Sequence, residues 1–196
     1  MQTKLQTLEA EIRACQLCKS DMQRAPNPIL QVSNSARILI AGQAPGNLAD
    51  ISGRPFTDPS GDRLREWLGL DEATFYDAAI VAIVPMGFCF PGYDKNGGDI
   101  PPMKRCAPTW REQLLTAMES VEVTILVGGY AKKWYLGDRA EKTLTATVAK
   151  WRDFVSEELF TTPHPSWRNN AWLKRNQWFG EELLPELRKR VQASLR

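Results

Sequence analysis

Long apolar runs are missing from this chain. None reaches the roughly 20 residues that a membrane-spanning helix needs, which excludes a simple bilayer anchor. Charge of one sign is not in excess: 25 Lys and Arg face 23 Asp and Glu, a formal net charge of +2. Overall charge therefore points to neither a membrane surface nor nucleic acid. A signal-peptide core is absent, because Met1-Gln2-Thr3-Lys4 leads directly into charged residues. The expected location is the cytoplasm. Cysteine is scarce, with four residues in 196, and thiols in a reducing compartment are not expected to form structural disulfides. Histidine is scarcer still, and His164 is the only one. No internal repeat or domain linker is visible, so residues 1–196 are expected to form one domain. An apolar fraction of 43 % excludes global disorder.

What is present alternates between strand and helix signals. Leu5, Leu8 and Ile12 recur at helical spacing among charged residues. A Pro-containing polar stretch over 20–36 predicts an extended link. Ile38-Leu39-Ile40-Ala41 has the composition of a strand buried on both faces. It ends at Gly42-Gln43-Ala44-Pro45-Gly46, where the glycines permit a sharp turn. A long loop from Asn47 to Ser60 is expected next, with Ser60 capping a helix over 61–68 that Gly69 stops. Further strands are expected at Ile80–Val84, Val121–Val127 and Leu159–Thr162. Residues 86–105 have no period, and helices are expected over 109–118 and 131–136. The stretch 143–154 is ambiguous, and 170–195 reads as a helix bent or interrupted at Pro185. This alternation predicts a three-layer α/β/α fold around a mostly parallel four-stranded sheet.

Cys15 and Cys18 form a C-x-x-C pair, while Cys89 and Cys106 bracket the irregular loop. The spacing leaves open a redox pair, a zinc or [4Fe–4S] site, or plain buried thiols. Gln43, Asp50, Phe56, Asp58 and His164 fall in loops that follow strands. In a parallel sheet those loops share one edge, where ligands bind. Asp50 and Asp58 are equally compatible with turn or cap duties, and His164 with a satisfied polar role. Ser166-Trp167-Arg168-Asn169-Asn170 opens a segment that interleaves aromatics, amides and bases through Trp178. It is either a nucleic-acid contact or a solvated helix face with its Trp residues turned inward.

Taken together, these motifs resemble the uracil-DNA glycosylase superfamily, and most of all its iron–sulfur class. Gly42-Gln43-Ala44-Pro45-Gly46, then Asp50, then Gly53-Arg54-Pro55-Phe56 is similar to that class's first motif. His164-Pro165-Ser166 is similar to its second. The cysteines match its cluster ligands in order and approximate spacing. The likeness runs from about residue 10 to about residue 180. This chain departs from the pattern in having Gln43 where the family has Glu, and Ala49 at the first acidic position. It also has Ala82 where the apparent alignment puts a uracil-reading Asn. The stretch Gly53–Gly61 resembles a sister class in which an aspartate at the position of Asp58 assists water or the sugar cation.

The resemblance implies a DNA repair glycosylase that hydrolyses the N-glycosidic bond of uracil or a related deaminated base. It implies catalysis by His164 with Asp58 or Asp50, and a base pocket formed by Gln43, Ala44, Pro45, Gly46 and Phe56. Ser166, Trp167, Arg168, Asn169 and Asn170 would contact DNA. A [4Fe–4S] cluster, with zinc as the alternative, would sit on Cys15, Cys18, Cys89 and Cys106. The partner is DNA with a damaged base, and the chain is expected to act as a monomer. No lysine lies in these motifs, which argues against a Schiff-base lyase. Two readings compete: a catalytically inactive iron–sulfur nucleic-acid-binding protein on the same fold, and a nucleotide- or flavin-binding α/β protein with C-x-x-C redox chemistry.

Overall fold

Residues 3–196 are described by the structure, a computed structural model. Met1 and Gln2, the start of the polar N-terminus noted above, lie outside the described residues. The central feature is β1, Ile38–Ala41, buried along its whole length. It pairs in parallel with β2 (Val81–Ile83) on one side and β3 (Val123–Val127) on the other. β4 (Leu159–Thr162) adds to β3, giving an all-parallel sheet of order β2-β1-β3-β4.

Alternation along β1 shows why both faces are covered. Ile38 and Ile40 enter a cluster with Leu64, Trp67 and Leu68 of α3 (Pro59–Leu68) and Leu187 and Val191 of α9 (Leu184–Ala193). Leu39 faces the other way, toward Leu5, Leu8 and Ile12 of α1 (Lys4–Arg13) and Leu114 of α5 (Cys106–Ala117). Ala41 packs on that second side with Ala131 and Leu136 of α6 (Gly129–Leu136). The expected three layers are thus formed.

The chain leaves β1 toward the α3 face and leaves β3 toward the α6 face. A topological switch point therefore lies between the carboxyl ends of these two neighbouring strands. The outer edge of β2 is covered by the 20–36 link. Gln31 exchanges backbone hydrogen bonds with Ile83 (2.7 and 2.9 Å), and its side-chain amide donates to Val81 O at 2.7 Å. An extended link here blocks the free strand edge.

Several boundaries differ from expectation. The stretch expected as a loop after β1 holds a helix, α2 (Asn47–Ser52), ended by Gly53 in the left-handed region. The cap of α3 is Asp58, not Ser60: Pro59 occupies the first turn, and the Asp58 carboxylate accepts from Gly61 N–H at 3.3 Å. A short α4 (Glu72–Phe75) follows, capped by Asp71. α5 begins at Cys106 itself. The ambiguous stretch splits into α7 (Leu144–Ala149) and a 3₁₀ segment, Trp151–Glu157. The tail breaks at Asn176, after α8 (Asn170–Arg175), rather than at Pro185. A π-helical turn, Phe179–Leu183, leads into α9, where Pro185 sits in the first turn and needs no hydrogen-bond partner.

Candidate active site and cysteine cavity

The Gln43 loop is built onto the sheet edge by its neighbour. Met86 N donates to Gly42 O and Gly87 N to Gln43 O, each at 2.9 Å, so the chain after β2 runs on beside the turn. The residues level with Gly42 and Gln43 are thus Met86 and Gly87. Ala82 lies deeper, with no exposed surface, in the cluster beneath α1. No amide side chain stands at the end of β2: the sequence there is Val84-Pro85-Met86-Gly87.

Phe56 has φ of +56°, an uncommon conformation for a bulky residue. Three contacts hold it. The Tyr76 hydroxyl faces the Pro55 and Phe56 carbonyls, 2.9 Å from each. Its ring lies where a side chain at Gly42 would begin, 3.4 Å away. At Gly61, a Cβ would stand 1.8 Å from the Phe56 carbonyl oxygen, so only glycine allows this close approach. Arg54 stacks on Tyr76, 3.8 Å from the ring centroid. The segment Gly53–Gly61 is thereby a rigid cradle that presents an aromatic ring beside the Gln43 turn.

His164 follows β4 on the same edge, half-buried between two prolines. Burial pulls its basicity below that of an ordinary histidine; the negative charges of Asp58 and Asp99 oppose this, and Arg168 reinforces it. The ring is therefore neutral at pH 7. Asn169 donates its amide to His164 O at 2.7 Å, and Arg63 of α3 donates to Ser166 O at 3.1 Å. These bonds tie the histidine loop to the helix that Asp58 caps. Asp58 Oδ1 takes the Ser60 hydroxyl at 2.6 Å as well as Gly61 N–H. Asp58 and His164 are thus brought together.

Asp50 is engaged elsewhere. Its carboxylate meets Arg24 at 3.1 Å and the Asn27 amide at 3.2 Å, and its backbone O accepts from Asn27 at 2.9 Å. The aromatic–basic segment divides. Trp172 and Trp178 pack against the core beside Phe179, whereas Trp167 is 74 % exposed. Ser166 caps the 3₁₀ turn Trp167–Asn169, and Arg168 and Asn170 face solvent. Leu48 and Ile51 on α2 are also exposed, at 52 % and 71 %.

The four cysteines are free and line one cavity with Leu17, Pro26, Pro28, Phe88 and Trp110. Burial pushes the Cys89 thiol up to about 12 and Cys106 to about 11, and raises Cys18. Each of these thiols also feels neighbouring cysteines as like charges. Among the described residues, no three Cys, His, Asp or Glu side chains stand close enough to share one metal ion. Trp110 carries a buried indole N–H without a partner. Four thiols lining one cavity suit a soft metal centre.

Tyr76, Arg63, Asn27, Asp99 and Trp110 were not singled out by sequence reasoning, since each comes from an element outside the motifs.

The sequence profile of the Uracil DNA glycosylase superfamily matches residues 30–188, which takes in both sheet-edge motifs and the second pair of cysteines. A curated relative, the Type-4 uracil-DNA glycosylase of Sulfurisphaera tokodaii, is 25 % identical over 172 residues, covering 83 % of this chain and 74 % of the relative. With the all-parallel sheet, its switch-point loop and both motifs in place, the chain belongs to the uracil-DNA glycosylase superfamily, with likeness to its type-4 members.

Proposed function

We propose that this chain is a monofunctional DNA glycosylase acting on uracil or a related deaminated base. The observation that carries this reading is a lone neutral imidazole facing a helix-capping carboxylate at the sheet's switch point, beside the rigidly held Phe56.

A flipped base would stack on Phe56 and meet Gln43 and the turn Ala44-Pro45-Gly46 at its edge. As the C1′–N bond breaks, its electron pair leaves with the base as an anion, and the sugar gains oxocarbenium character. The His164 N–H donates to the base oxygen where that charge collects. A neutral ring is the right form, because it keeps its proton and acts by hydrogen bonding. Asp58 orients the attacking water and takes up its proton as oxygen bonds to C1′. Its Oδ1 is committed to the cap, and its Oδ2 makes no hydrogen bond among the described residues. The products are free base and an abasic site. Asp50, pinned by Arg24 and Asn27, is assigned to holding α2.

Trp167, with Arg168 beside it, is the side chain placed to fill the gap left by the flipped base, and Asn170 lies on the same DNA-facing rim. Cys15, Cys18, Cys89 and Cys106 would hold a [4Fe–4S] cluster through their thiolates. Zinc held by the same four thiolates is the alternative. Such a group would tie the segment after α1 to the loop after β2 and to α5.

The test is base release from oligonucleotides carrying uracil, hypoxanthine, xanthine or mismatched thymine, in single and double strands. Release from at least one substrate and its loss in His164→Ala are expected; full activity in that variant would remove His164 from the mechanism. The absence of an amide at Met86-Gly87 favours a second reading, a DNA-binding protein without catalysis. It predicts oligonucleotide binding with no base released across the whole panel.

A further inference from the structure

Arg111 is the largest fully buried side chain among the described residues, with no exposed surface. It lies on α5 in register with buried Ala107 and Leu114, at the spacing of a core stripe. Its guanidinium meets only neutral oxygens. Nη1 donates to Val84 O at 2.7 Å and Pro85 O at 2.9 Å, and Nη2 to the Tyr135 hydroxyl at 2.5 Å. Burial pushes the Tyr135 phenol up, so it stays uncharged. None of the ion pairs among the described residues involves Arg111, and its Nε–H has no partner among them. A permanent charge buried without an anion is strongly unfavourable. Its neighbour Trp110, which lines the cysteine cavity, also has an unmatched buried N–H. Two consecutive residues thus carry donors without acceptors, one of them charged, five residues or fewer beyond Cys106. The stretch that Arg111 holds, Val84-Pro85, runs on to Phe88, whose backbone N–H donates to the Cys106 sulfur at 3.4 Å.

We infer that Trp110 and Arg111 are positioning residues for the group held by the four cysteines, Arg111 as its internal counter-charge and Trp110 as a donor to its sulfur. Four thiolates on a doubly charged metal core leave an excess of negative charge, which a buried guanidinium offsets. The arrangement rests on the cluster reading above and adds to it the source of charge balance. A guanidinium near such a group favours the more negative, reduced state and retention of the metal. A purely structural Arg111, tying Val84 and Pro85 to α5, would do neither.

The experiment uses the full-length protein purified without oxygen. Iron, sulfide and zinc content of the wild type test the underlying reading separately. Midpoint potential and the rate of metal loss to a chelator are then compared for wild type, Arg111→Met, Arg111→Lys and Trp110→Phe, with circular dichroism as a check on folding. Arg111→Met is expected to move the potential to more negative values and to lose metal about tenfold faster. Arg111→Lys should remain close to wild type, and Trp110→Phe should shift in the same direction by less. A folded Arg111→Met with wild-type potential and release rate overturns the inference. If that variant does not fold, an unchanged release rate in Trp110→Phe overturns it. If the wild type holds zinc, the cluster reading fails while the release rates still decide the role of Arg111. Wild type without metal overturns both.

Discussion

A single histidine makes its own titration readable. Burial holds His164 below the ordinary value of 6.5, with Asp58 acting in the opposite sense. The unfolded chain therefore takes up the proton first as pH falls. The contribution of this group to stability is fully present above about 6.5 and declines as pH drops toward the folded-state value. Base release should fall over the same acid range, as the neutral donor is lost. In Asp58→Asn the opposing charge is gone, so the imidazole should titrate at still lower pH. NMR of the imidazole protons, unambiguous in a chain with one histidine, measures both values; a wild-type midpoint above 6.5, or an upward move in Asp58→Asn, would contradict this. Phe56 invites a second test. Its left-handed backbone is held by the Tyr76 hydroxyl and by the space Gly61 leaves. Gly61→Ala should cost about 1–3 kcal/mol in denaturant unfolding, because a methyl must displace the Phe56 carbonyl. It should lower base release by more than that loss of stability explains, since the stacking ring moves too.

At the level of elements, α2 and the cap of α3 separate the two candidate carboxylates. Asp50 lies on α2 and is turned toward Arg24 and Asn27; Asp58 begins α3 and faces His164. Asp50→Asn should keep base release near wild type and cost no more than about 1 kcal/mol, the range of a partly exposed ion pair. Asp58→Asn should reduce kcat by about 10²-fold or more. Comparable losses in both variants would contradict the division. The strands were legible because each is a short apolar or β-branched run closed by glycine or proline, and the sheet follows from their alternation with helices. α2 was not legible: six residues between Gly46 and Gly53 carry too few apolar positions to show a period. Asp58 and Ser60 are both good caps, and the decisive residue is Pro59, which belongs just inside a helix. The motif loops could be read locally. Their supports, Tyr76, Arg63 and Asn27, reach in from remote segments and leave no pattern in sequence. Arg111 is different, because a charged residue at the core position of an amphipathic helix is a visible anomaly.

Across the whole molecule, the cysteine cavity and the sheet edge are joined through residues 22–28. Asn27 faces both ways: its backbone amide faces the Cys89 sulfur, and its side chain holds Asp50 on α2. Arg24 repeats the link, lying 5.2 Å from the Phe90 ring centroid and 3.1 Å from Asp50. The Gln23 amide adds a two-point lock on Tyr93, donating to its O at 2.8 Å and accepting from its N at 3.2 Å. If the four cysteines hold the proposed metal group, its loss would leave four thiols with no common centre and free the segment that carries these contacts. The sheet is secured separately, by apolar clusters on both faces. Removal of the group by chelation, or by Cys89→Ser, should therefore loosen the molecule locally. Hydrogen exchange should quicken in residues 22–28, in α2 and in the loop after β2, while β1 and β3 amides keep their protection. DNA affinity should weaken and base release should fall, because α2 starts directly from the Gln43–Gly46 turn of the proposed base pocket. Equal loss of protection in β1 and β3 would instead make the group a condition for folding the whole core. Unchanged exchange in α2 would mean that Arg24 and Asn27 hold Asp50 without help from the cysteines.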